Sequence, residues 1–160
     1  MAIRDEMRAF IKEIEQTAVE NVKIHGDHVP MVFGKVGDEL RHYVIVPAPN
    51  MDTGLAIKNI AEMLAMEGAE WIVVVGSFYM RMFEDEEEAK RYMQNYKYGS
   101  LGEDSESEEI LLITGFSIIG DKELVAYKVK EDVDGRKLEK TDLGKNAEAF
   151  SRFNPFEQLL

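Results

Sequence analysis

His25, Asp27 and His28 stand within four residues of one another, around Gly26. Imidazole and carboxylate are good ligands for zinc or iron, and two histidines three apart in a loop can converge on one ion. A working centre needs a third or fourth ligand. The one other histidine, His42, lies in a strand-like segment. With Gly37-Asp38 as a hairpin turn, His42 pairs near Phe33, more than ~15 Å along the ladder from His28 at about 3.3 Å per residue. Only carboxylates could then complete the shell. The plainer expectation is a polar helix-to-strand connection with Gly26 as the cap. On the metal reading the chain would be a metal-dependent, hydrolase-like enzyme. His42 itself reads as a half-exposed strand residue with no nucleophile placed beside it.

Other chemistry-bearing patterns fail on their context. Gly115 to Gly120 has the glycine gap of a phosphate-binding loop, but Asp121 follows where Lys and Ser or Thr are required, and the segment leads into a hairpin. Gly115 is better read as a bulge or a close-packing position. Gly76-Ser77 lies within a strand with no helix start behind it, so it is no nucleophile elbow. Asp132-Val133-Asp134-Gly135 lacks the later ligands of a calcium loop and reads as a hairpin turn at Asp134-Gly135. No catalytic residue and no cofactor is expected.

Charge is concentrated in one place. Between Glu84 and Glu109 there are ten acidic residues against Lys90, Arg91 and Lys97, which is more than half of the formal net charge of −12. Apolar runs flank this insertion, and charged insertions between core strands are where proteins place recognition. Within it stand Tyr92, Tyr96 and Tyr98. Tyr92 and Tyr96 share a helix face at i, i+4, and aromatic side chains are favoured at interfaces. These three tyrosines are the expected binding surface; the plain alternative is a solvated charge run whose tyrosines pack back on the domain.

The rest of the composition narrows the field. The 160 residues, 45% of them hydrophobic, suit one domain with a real core. The expectation is a single α+β domain over 1–160, with the acidic insertion at about 84–109. No apolar run approaches the ~18 residues of a membrane span, and no secretory leader is evident. Cysteine is absent, so there is neither a disulfide framework nor a thiolate zinc site. A pI near 4.7 argues against nucleic acid, whose phosphates demand Lys and Arg. The eight basic residues between Lys122 and Arg152 are interleaved with acids and form no stripe. A cytoplasmic location, with neither nucleic acid nor membrane as partner, is expected.

The elements that must position these residues follow from periodicity. Ile3, Met7, Phe10, Ile11, Ile14, Ala18 and Val22 mark an amphipathic helix over 2–23, stopped by Gly26. Pro30 to Val36 and Leu40 to Val46 read as a hairpin. A second helix spans about Thr53 to Glu67, capped by Asn50 or Asp52 and closed by Gly68. Trp71 to Met80 is a strand apolar enough to be buried on both faces. Asp85 to Tyr98 suits a short surface helix. Glu109 to Ile119, Glu123 to Glu131 and Arg136 to Thr141 complete a meander, and Phe150, Phe153, Phe156, Leu159 and Leu160 form an apolar tail expected to cover the chain's own core. The fold class is α+β: an antiparallel sheet of five to six strands with two long helices packed on one face.

This element order resembles that of the roadblock and profilin-like folds, which implies a dimerisation or binding platform. Separately, the Ser105-Glu106-Ser107-Glu108-Glu109 lead into a strand, the Trp71 strand and Ser151-Arg152-Phe153 are similar to a set of small uncharacterised prokaryotic proteins, a likeness that implies no activity. The expected function is a non-enzymatic protein-interaction or dimerisation module of a prokaryotic cytoplasmic protein, homodimeric or bound to a protein partner.

Overall fold

Five consecutive apolar residues, Trp71 to Val75, can all be buried only where both faces of their strand are covered. In the computed structural model, which describes residues 2–46, 48–49, 51–80, 86–94, 108–142 and 153–159, they lie in the middle of a six-stranded antiparallel sheet. Along the chain run α1 (Ile3–His25), β1 (Met31–Val36), β2 (Glu39–Val44), α2 (Thr53–Met66), β3 (Ala69–Met80), α3 (Glu86–Gln94), β4 (Glu108–Ser117), β5 (Lys122–Asp132) and β6 (Gly135–Thr141), with a short 3-10 turn at Glu157–Leu159. The strand order is β2-β1-β3-β4-β5-β6. The fold is the mixed α+β class that the patterning implies.

Alternation along β3 divides the core in two. Trp71, Val73 and Val75 share a face with Phe33 of β1 and with Leu111 and Ile113 of β4, beneath Met7, Ile11, Ala18 and Val22 of α1. Ile72 and Val74 point the other way, with Val32 and Phe116, beneath Ile57, Ala61, Leu64 and Ala65 of α2. The two long helices therefore cover opposite faces, not the single face expected from element order. The reason lies in β3 itself: an unbroken apolar run is stable only with a hydrophobic layer on each side.

Local chemistry starts and stops the helices. Asp5 and Glu6 in the first turn of α1 complement its dipole, and Gly26, at φ 95°, ends it by donating its N–H to the Val22 carbonyl at 2.9 Å. The Asp52 carboxylate accepts from the Leu55 N–H at 3.0 Å and caps α2; Asn50, the other candidate cap, lies outside the described residues. Gly37-Asp38 turns the first hairpin as expected. The last hairpin turns one residue earlier than expected, at Val133-Asp134, because Asp132 pairs with Gly135.

Two glycines allow helices to approach the sheet. The ladder runs unbroken through Gly115, from Val73 on one side to Glu123 on the other, so this residue is no bulge. A Cβ there would lie 2.7 Å from Ile11 Cδ1 and 3.1 Å from Met7 Sδ, so Gly115 is where α1 rests on β4. Gly34 does the same under Leu64 of α2. The tail closes the α2 side: Phe156 is buried, and the Phe153 ring meets Phe116 edge-on at 5.8 Å. Phe150 and Leu160 fall outside the described residues.

Trp71, 2% exposed, stacks on Phe10 with centroids 4.9 Å apart. Trp71→Ala should cost about 3–5 kcal/mol in urea melts, and a loss under ~1 kcal/mol would show that its packing contributes little. Gly115→Val should cost about 1–3 kcal/mol by forcing α1 off the sheet; unchanged stability would show that the helix can lift without penalty.

Candidate functional site

The His25–His28 loop does not form a ligand set. His25 is exposed in the last turn of α1 and Asp27 is exposed beyond it, whereas His28 is buried. The His28 Nδ1 lies 2.8 Å from the Val29 carbonyl oxygen, which can only accept, so Nδ1 carries the proton. The His28 backbone is stitched to Ser77 at both ends, its N–H donating to Ser77 Oγ and its carbonyl accepting from the Ser77 N–H, each at 2.9 Å. Arg136 also passes beside Gly26 and pairs with Glu109 at 3.0 Å, which sets a fixed cation against the loop. Among the described residues no group of three His, Asp or Glu is arranged to hold a metal ion. His42 pairs with Phe33, as the hairpin register requires, with its ring 6.2 Å from the phenyl ring.

Of the three tyrosines expected at a binding surface, Tyr92 lies half-buried on α3, while Tyr96 and Tyr98 are outside the described residues, as is most of the acidic insertion. Glu86, Glu87 and Glu88 fill the first turn of α3, where they oppose the helix dipole favourably, and Lys90 pairs with Glu86 at 3.6 Å. No α3 side chain is fully buried.

A polar cluster that the patterning does not reveal ties α1 to the far strands. The Tyr127 hydroxyl donates to Glu15 Oε1 at 2.9 Å, and the Lys140 ammonium reaches the same oxygen at 3.2 Å while standing 5.9 Å over the Tyr127 ring. Burial first, and then the Glu15 carboxylate, push the Tyr127 phenol up to about 12. Lys12 and Glu20 of α1 line the same depression as Glu15 and Tyr127, and the contacts of the cluster join α1 to β5 and β6.

On the α2 face a cleft of about 310 Å³ is walled by Ile57, Val74, Phe78, Leu112, Phe116 and Phe153, with Tyr79 and Thr114 as its polar members, and among the described residues no charged side chain lines it. Such walls suit an apolar group.

The most distinctive surface is the outer strand β2. Leu40, Val44 and the following Val46 are 43%, 51% and 76% exposed, although Leu40 and Val44 point to the face that α1 covers elsewhere. α1 lies over β3, β4 and β6 instead. At the other end of the sheet β6 carries Arg136, Lys137, Glu139 and Lys140. Charged edge strands resist pairing with other chains; apolar ones invite it. The signal was available as the alternation Leu40, His42, Val44, but it identifies an edge only once the strand order is known.

Neither a protein-family model, nor a curated protein, nor a solved structure matches this chain.

The raised Tyr127 pKa ties the stability of the fold to pH. The folded state favours the neutral phenol, so its contribution is complete below pH ~10, the ordinary tyrosine value, and fades as pH rises toward about 12. Urea melts of the wild type should lose stability more steeply than Tyr127→Phe across that interval. Parallel pH profiles would show that the Tyr127–Glu15 bond does not favour the neutral phenol.

Proposed function

We propose that the chain is a non-enzymatic protein-interaction module that works as a homodimer. The observation carrying this reading is the pair of exposed apolar side chains, Leu40 and Val44, on a strand at the end of the sheet. Apolar surface of this kind is most stable when a second surface removes it from water. The acidic stretch with Tyr92 on α3, continuous in sequence with Tyr96 and Tyr98, is a separate surface suited to a basic protein partner. A net charge of −12 speaks against nucleic acid as that partner. No described helix is long and apolar enough to cross a membrane. The setting we assign is the cytoplasm of a prokaryote, which suits an acidic, cysteine-free chain.

Sedimentation equilibrium tests the reading. A species of twice the 18.3 kDa chain mass is expected at micromolar concentration. A single monomeric species at every concentration would overturn it.

A further inference from the structure

The parity of hydrogen bonding in β2 decides which of its groups are available. The pairing Val36↔Glu39 closes the two-residue turn, and in hairpins of that length the closing residues bond to each other. Bonds to β1 then recur at every second residue, at Arg41 and Tyr43. The Ile45 N–H, donating to the Pro30 carbonyl at 2.8 Å, continues the same parity. Leu40, His42 and Val44 therefore turn their N–H and carbonyl groups outward. Among the described residues nothing pairs with that edge.

Charge also favours this edge. Each chain carries −12, so two copies repel at long range and gain most by meeting along a neutral strip. β2 has one acid and one base, Glu39 and Arg41, and Arg41 is already held by Glu39 at 3.6 Å and by Glu67, the residue that follows α2. β6 carries a net +2, from Arg136, Lys137 and Lys140 against Glu139, so pairing it with itself sets like charges together.

We infer that two copies of the chain join β2 to β2 in antiparallel fashion, making one continuous sheet across a two-fold axis at His42. This rests on the self-association reading above and specifies its surface. Outward groups must meet outward groups, so Leu40, His42 and Val44 can pair only among themselves. Centring the axis on Arg41 would place two guanidinium groups directly opposite each other. Centring it on Tyr43 would carry the pairing beyond the end of β2 at Val44. Centring it on His42 sets Leu40 against Val44 of the second copy twice, burying the exposed stripe, and sets Arg41 against the Tyr43 ring. The geometry is isologous and closes at two subunits.

The absence of cysteine makes single-cysteine crosslinking a clean test. In this register His42→Cys brings two Cα atoms about 5.5 Å apart, within the ~4.4–6.8 Å that a disulfide spans. Leu40→Cys leaves its two copies four residues out of step, about 13 Å apart. Under mild oxidation His42→Cys should give covalent dimer, while Leu40→Cys and a Lys137→Cys control on β6 stay monomeric in denaturing gels. Val44→Lys, with its circular dichroism spectrum unchanged, should weaken dimerisation by about tenfold or more in sedimentation, since two cross-strand contacts are lost. A dimeric wild type whose His42→Cys form does not crosslink, or whose Leu40→Cys form crosslinks equally well, overturns this register and leaves self-association standing. Should Val44→Lys dimerise as tightly as the wild type, the edge is likewise the wrong surface. A wild type that is monomeric at every concentration overturns both.

Discussion

The structure depends on the antiparallel ladder between β3 and β4, whose ten consecutive pairs run from Trp71↔Ser117 to Met80↔Glu108. These strands are apolar on both faces, so neither can lie at a surface. Each face supplies its own core, and each core recruits one long helix. The hydrophobic effect is not directional, but the alternation of a strand is, and together they force a layered arrangement around this pair.

Placement of the helices then decides what stays exposed. α1 is held over the middle and far strands by Gly115 beneath it, and by Glu15 with Tyr127 and Lys140 and Arg8 with Glu123 at its flank. A helix fixed there does not reach β2, although β2 presents apolar side chains toward the same layer. The exposed Leu40 and Val44 thus follow from where α1 is anchored rather than from any peculiarity of β2. The same sheet protects its other end with the lysines of β6. One end of the sheet is left apolar while the opposite end is charged, and the proposed pairing between copies fits both the hydrogen-bond parity and the neutral charge of the apolar end.

Much of the local structure was legible from the chain. The stripe from Ile3 to Val22, the stop at Gly26, the turn at Gly37-Asp38 and the buried character of Trp71 to Val75 all follow from periodicity and glycine chemistry, because each depends on neighbours within a few residues. Gly115 was legible as a position of close packing, though its partner helix was not. The last turn was misplaced by one residue, since Gly135 opens β6 instead of sitting inside the turn. The His25–His28 cluster was visible as a set of residue types, but ligand convergence is a property of side-chain direction. The structure sends His28 inward and leaves His25 and Asp27 outside.

What the sequence by itself determined is the set of elements and their burial: five to six strands, two long amphipathic helices, a core strand that must be covered twice, and a net charge of −12. These are set by short-range preference and by composition. Only the tertiary structure decided that the helices take opposite faces, that β1 inserts between β2 and β3, and that β2 is left at the end of the sheet. Those outcomes turn on contacts between residues far apart in the chain, such as Gly115 with Ile11 and Gly34 with Leu64. A linear pattern records which residues seek burial, but which surface buries each one is decided only when the layers are packed.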